Sequence, residues 1–146
     1  MPSIIVLDKL SPDGLALLDA AAKLGISYEV KTGLSGEELK DALASHDGAI
    51  CRSGVKITAD ALSGNHRLRA IVRAGVGTDN IDKQAATRQG IVVMNTPAGN
   101  TVSTAEHAFT LLLALSRNVA PADASLREHR WDRSKYMGVQ LAGKTL

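Results

Sequence analysis

Three short segments gather the residue types that handle small anions. In Arg73-Ala-Gly-Val-Gly-Thr-Asp-Asn80, Gly75 and Gly77 leave consecutive backbone amides uncovered. Such amides can close around a carboxylate or phosphate oxygen. Glycines at this spacing suit a tight strand-to-helix turn equally well. The segment is not a dinucleotide fingerprint, because Asn80 stands where G-x-G-x-x-G needs its third glycine. In Arg52-Ser53-Gly54-Val55-Lys56, the forked guanidinium of Arg52 suits a carboxylate or phosphate. An exposed arginine on a surface loop is the plainer reading of that residue taken alone. In Asn95-Thr-Pro-Ala-Gly-Asn100, Pro97 and Gly99 mark a turn, and Asn100 is placed to cap a following helix, to touch a ligand, or both.

Other chemistry-bearing patterns are weaker. Gly138-Val-Gln-Leu-Ala-Gly-Lys-Thr145 satisfies the P-loop formula G-x-x-x-x-G-K-[ST]. A P-loop must leave a buried strand and enter a helix, and Arg133-Ser-Lys-Tyr-Met is no strand. His46, His66, His107 and His129 show no metal-ligand spacing with one another or with Cys51, so no metal is expected. His107 falls inside the first turn of an apolar helix, where nothing brings it to a proton it could accept. Asp79 and Asp82 are placed at a helix start, where an acid complements the helix dipole.

The elements that must position these segments alternate regularly. Ser3 to Leu7 is a short apolar, β-branched run that reads as a strand buried on both faces. Ser11-Pro12 supplies an N-cap and a first-turn proline, and Leu15, Leu18 and Ala22 follow at helical spacing until Gly25. The pattern repeats: strands over 26–30, 48–51, 68–73 and 91–94, with helices over 35–44, 59–62 and about 81–88. Ser35 and Glu38 have the spacing of a capping box. Strands alternating with helices predict an α/β fold with a doubly wound parallel sheet. All three anion-handling segments then follow strands, at the sheet edge where open α/β sheets bind ligands. Ser103-Thr-Ala-Glu106, another capping-box spacing, opens a long helix to about Arg117, apolar around most of its circumference. A second helix is predicted over 121–129.

Composition narrows the function classes. The chain has 146 residues, 45% hydrophobic but only 3% aromatic, so its core must be aliphatic. Seventeen basic residues against fifteen acidic ones give a formal charge of +2, without a like-charge run that would read as a nucleic-acid or membrane patch. The longest apolar stretch is far below the roughly 18 residues of a membrane span. A single cysteine and the lack of a signal-peptide pattern make the cytoplasm the expected compartment.

RAGVGTDNID, GIVVMNTPAGNTVSTAEHAFTLLLALSRN and REHRWDRSKYMGVQLAGKTL, in this order and spacing, resemble successive blocks of the D-2-hydroxyacid dehydrogenases. RSGVKIT and WDRSKYMG point to the branch acting on 3-phosphoglycerate in serine biosynthesis. The resemblance implies a flavodoxin-like substrate-binding domain over 1–100. It also implies a crossover helix and dimerisation arm over 101–146, leading into an NAD-binding Rossmann domain outside this sequence. It places Arg52, Ser53, Arg73, Val76, Gly77 and Asn100 on the substrate side, with the Val76–Gly77 amides holding the carboxylate and Val76 touching NAD. The family's catalytic residues match no position here, so the chain is expected to be an inactive part of a homodimeric enzyme. Another D-2-hydroxyacid dehydrogenase, or a non-catalytic small-anion-binding module, is the alternative.

Overall fold

The computed structural model describes residues 1–145. Two compact units divide it, Met1–Gly99 and Asn100–Leu146.

In the first unit the order is β1 (Ser3–Val6), α1 (Pro12–Ala22), β2 (Ser27–Val30), α2 (Gly36–Ala44), β3 (Gly48–Cys51), α3 (Ala59–Leu62), β4 (Ala70–Arg73), α4 (Lys83–Arg88) and β5 (Val92–Asn95). All pairings are parallel and the sheet order is β2-β1-β3-β4-β5, the flavodoxin-like arrangement. β1 and β3 start where their runs predict, whereas β2, β4 and β5 start one or two residues later, yet Leu68 and Ile91 just outside them are still buried.

Register fixes which side chains share a face. Ile5, Leu7, Ala49, Cys51 and Ile71 point to one side and form a single cluster with Leu39, Leu43, Ala61, Leu62, Ala85 and Ala86 of α2, α3 and α4. The opposite face carries Val6, Ile50, Val72 and Tyr28. There α1 is anchored by Tyr28 Oη donating to Asp19 at 2.6 Å, so helices lie on both faces. Cover on this face thins toward the β5 edge, where Val92 and Met94 are 57% and 45% exposed.

Side-chain caps start three of the six α-helices among the described residues, α1, α3 and α4. Ser11 Oγ accepts from Gly14 N–H at 3.2 Å, with Pro12 in the first turn. Asp82 caps α4 by accepting from Ala85 N–H at 2.9 Å. Two expected capping boxes do not form. Ser35 stands at the N-cap of α2 but makes no side-chain cap bond. Gly36 enters that helix at φ +54°, which turns the first amides out of line with Ser35 Oγ. Ser103 lies inside its helix, and its hydroxyl donates back to the Asn100 carbonyl at 3.0 Å. A helical serine satisfies itself on an earlier carbonyl in this way without capping anything.

The second unit contains α5 (Thr101–Ser116), α6 (Val119–Arg127) and a 3-10 turn (Arg133–Tyr136). Asn118 makes the tight α5–α6 turn at φ 52°, so α6 starts two residues before the predicted Pro121. Gly138 is pressed against α5, where a Cβ would lie 2.2 Å from the Ser116 carbonyl oxygen. Val139 N–H donates to that oxygen at 2.8 Å. Gly138 is therefore a close-packing glycine. The element that leads into Gly138 is the 3-10 turn and not a strand, so the P-loop context is missing.

Candidate functional site

The register aligns Cys51, Arg73 and Asn95 across β3, β4 and β5. The loops that follow these residues therefore emerge side by side at the C-terminal edge of the sheet, with Asp8 at the end of β1 beside them. Among the described residues no cluster of three or more His, Cys, Asp or Glu could hold a metal.

The Arg73–Asn80 loop is tied down through its carbonyls. Asn95 Nδ2 donates to the Val76 carbonyl at 2.7 Å, Thr96 N–H to that of Gly75 at 3.0 Å, and Gly75 N–H to that of Arg73 at 2.9 Å. With the carbonyls held from the β5 side, the Val76 and Gly77 amides donate to no group among the described residues. Two free adjacent N–H groups on an anchored loop are what an anion requires.

Arg73 lies against the same loop. Its side chain is only 14% exposed, and its Nη1 is so close that a Cβ on Gly77 would sit 2.7 Å from it. Its one carboxylate partner, Asp79, is 90% exposed and 3.5 Å away. Nε is buried without a partner among the described residues. A largely desolvated cation with so weak a counter-ion keeps most of its field for whatever arrives at the loop.

The Arg52–Lys56 loop presents the other cation. Arg52 is exposed, its Nη1 3.5 Å from the Lys9 carbonyl, and Ser53 hydrogen-bonds to no group among the described residues. Beneath them the Cys51 thiol is fully buried, and its pKa is pushed up to about 11 by burial first and Asp8 second, with Arg73 opposing. Cys51 is a core side chain, not a nucleophile.

Arg52, Ser53, Arg73, Val76 and Gly77 thus share one edge of the first unit. Asn100 belongs to the second unit, at the start of α5, where its carbonyl accepts from Thr104 N–H at 2.9 Å and its side chain makes no cap bond. Sequence reasoning missed Asp8, Asn80 and Asn95 as groups that hold the loops. Asp8 and Asn95 could have been found, since each is a polar residue closing an apolar strand at the ligand edge. Asn80 carried no signal beyond the absence of glycine.

Comparison with known proteins agrees with this geometry. The family model of the D-isomer specific 2-hydroxyacid dehydrogenase catalytic domain matches residues 4–138. The D-3-phosphoglycerate dehydrogenase of Archaeoglobus fulgidus is 45% identical over 97% of this chain, which covers 26% of that protein. A chloroplastic D-3-phosphoglycerate dehydrogenase of Arabidopsis thaliana is 47% identical over 99% of this chain and 23% of its own length. The chain thus spans about a quarter of the length of these relatives. Among solved structures, an NAD-dependent formate dehydrogenase from Staphylococcus aureus in complex with NAD superposes with a TM-score of 0.75 at 25% identity, over 93% of this chain and 44% of that one. The NAD+-bound 3-phosphoglycerate dehydrogenase of Entamoeba histolytica gives 0.69 at 28% identity, over 80% of this chain and 39% of that one. The parallel sheet, its order and the match over 4–138 lead to one assignment: the chain belongs to the D-isomer specific 2-hydroxyacid dehydrogenase family.

Proposed function

We propose that this chain is the substrate-binding part of an NAD-dependent D-3-phosphoglycerate dehydrogenase, which oxidises the C2 hydroxyl of 3-phosphoglycerate to the ketone of 3-phosphohydroxypyruvate. The observation that carries the reading is the pair of free Val76 and Gly77 amides on an anchored loop, flanked by Arg73 and with Arg52 on the neighbouring loop. Identities of 41–47% to proteins named for that activity support the choice of substrate.

In this reading the Val76 and Gly77 amides hold the substrate carboxylate, while Arg52, Ser53 and Arg73 face its remaining oxygens. Both charged ends of the substrate would be fixed, and the C2 centre between them would be oriented. The residues present do not fit the whole dinucleotide. The one glycine-rich turn after a strand carries Asn80 in place of the third glycine, and no acid stands on a following strand for the ribose. When bound, NAD would supply the acceptor for the C2 hydride. Val76, 43% exposed on the loop, is the group that would flank it. A reducing compartment, the cytoplasm, suits a chain whose one thiol is buried, although relatives from Arabidopsis are named chloroplastic. No described helix is long and apolar enough to cross a membrane.

We further propose that residues 101–146 serve as a dimerisation arm occupied by a second copy of the chain. No residue of α5 is buried, and Phe109, Leu111, Leu113 and Leu115 are all more than half exposed, an apolar surface that soluble monomers avoid. Sedimentation should show dimers that Phe109→Asp weakens, and a clean monomer at micromolar concentration would defeat this part.

The substrate reading is tested by titrating 3-phosphoglycerate into the 15N-labelled chain and following the Ser53, Val76 and Gly77 amides. They should shift together and at lower concentration than with D-glycerate, which lacks the phosphate. Equal responses would remove the phosphoglycerate assignment, and silent loop amides would remove the anion site. In the whole enzyme, Arg52→Ala should raise KM for 3-phosphoglycerate far more than KM for NAD.

A further inference from the structure

The Arg52–Lys56 loop does not hold itself in place. The Arg52 backbone N–H donates to Asp8 Oδ2 at 2.6 Å. Asn80 Nδ2 donates to the Arg52 carbonyl at 2.8 Å and to the Val55 carbonyl, also at 2.8 Å. Ile57 N–H, just beyond the loop, donates to the Asn80 carbonyl at 2.8 Å. One side-chain amide therefore spans the turn through its two protons, closing it on either side of Ser53 and Gly54. Asp8 grips the same turn from β1, so closely that a Cβ on Gly54 would lie 2.2 Å from its Oδ1.

The chemistry of this position is demanding. Two carbonyl oxygens converge on one group, so that group must be a double donor with no competing lone pair, which an amide nitrogen is and a carboxylate is not. The opposite amide orientation would set Oδ1 against both carbonyls, so the acceptors decide the assignment. Oδ1 is instead buried without a partner among the described residues, a cost a purely space-filling residue would not carry. Asn80 also closes the Arg73–Asn80 loop. The last residue of one anion-facing loop thus braces the other, while leaving the Arg52 side chain and the N–H and hydroxyl of Ser53 unengaged by the brace.

We infer that Asn80, with Asp8 opposite it, is a positioning pair that sets Arg52 and Ser53 relative to the Val76–Gly77 amides and so tunes affinity for the anionic substrate. The inference rests on the substrate reading above, and Asn80 acts through the loop without touching the ligand.

Asn80→Asp preserves shape and removes both donors. In the 15N-labelled chain, its Ser53 and Gly54 amides should gain fast motion in relaxation measurements. Its dissociation constant for 3-phosphoglycerate should rise on the order of tenfold, below the roughly hundredfold a 1 Å misplacement can cost. The decisive step is a double-mutant cycle. In an Arg52→Ala background, Asn80→Asp should change affinity by much less than the roughly tenfold expected in the wild-type background, because the Arg52 share of the loss is already gone and only the Ser53 share remains, whereas effects on the melting temperature should add. Unchanged loop motion, or affinity losses that add fully, would overturn the positioning role and leave Asn80 a structural residue. If wild-type chain ignores 3-phosphoglycerate, the substrate reading falls, and the relaxation data still decide the brace. Should Asn80→Asp not fold, Asp8→Asn, which weakens the grip on Arg52 N–H from the other side, carries the same cycle.

Discussion

Gly75 and Gly77 stand two positions apart in the same loop, yet replacing each by alanine should have different consequences. Neither has a positive φ, so neither is required by backbone conformation. The difference is space. A Cβ on Gly75 meets only Arg73 Nε at 3.7 Å and Cζ at 3.8 Å, ordinary contacts. A Cβ on Gly77 meets Arg73 Nη1 at 2.7 Å and Asp79 Oδ1 at 2.8 Å. Restoring the ~3.5 Å of an unstrained contact requires the guanidinium to retreat by roughly 0.8 Å. Both obstacles are ends of flexible side chains, and their mutual contact is long at 3.5 Å. The stability loss of Gly77→Ala should therefore stay near the lower end of the overpacking range, about 1 kcal/mol. Affinity should suffer more, because the displaced group is the half-compensated cation of the site. A shift approaching 1 Å corresponds to a loss between about tenfold and hundredfold. Thermal unfolding gives the first quantity and calorimetric titration with 3-phosphoglycerate the second. Gly75→Ala should stay within about 0.5 kcal/mol and threefold of wild type. Equal affinities for the two variants would refute the argument that Arg73 acts from beneath Gly77.

Leu62 is fully buried in the short α3, so Leu62→Ala should cost about 2–5 kcal/mol in urea unfolding, and a loss under about 1 kcal/mol would mean the core relaxes there. Asp47 accepts from Arg67, from Ser3 N–H at 2.8 Å and from Ser3 Oγ, and these bonds, Arg67 first, hold its carboxyl well below the usual range. A depressed carboxyl stabilises the fold above its unfolded pKa and loses that contribution as pH falls, so Asp47→Asn should be less stable than wild type near pH 6, with the gap closing below about pH 4. A gap independent of pH would contradict the linkage. Cys51, raised to about 11 by burial, has the opposite sign: its contribution is present below the ordinary thiol pKa of 9.0 and fades as pH rises through 11. At about pH 8.5 iodoacetamide should label the unfolded chain and spare the folded one. The 146-residue chain mixed with 3-phosphoglycerate and NAD should produce no reduced cofactor above background, since no histidine lies in any of the three edge loops to take the hydroxyl proton.

Much was legible in the sequence because it depends on local pattern. Apolar runs such as Ser3 to Leu7, caps such as Ser11-Pro12, and strict strand–helix alternation determined a parallel α/β sheet. Parallel strands with short connections admit few other solutions. The same alternation put Arg52, Arg73 and the Asn95–Asn100 turn after strands, hence at one edge. Tertiary structure decided what no spacing contains. The sheet order and register aligned Cys51, Arg73 and Asn95. The entry angle at Gly36 defeated the Ser35 cap. Asn80 met the Arg52 and Val55 carbonyls, 28 and 25 positions earlier in the chain. Caps and alternation are set by neighbours within a turn of chain, whereas a hydrogen bond between two loops exists only after the strands beneath them have paired, and the sequence of either loop alone carries no trace of it.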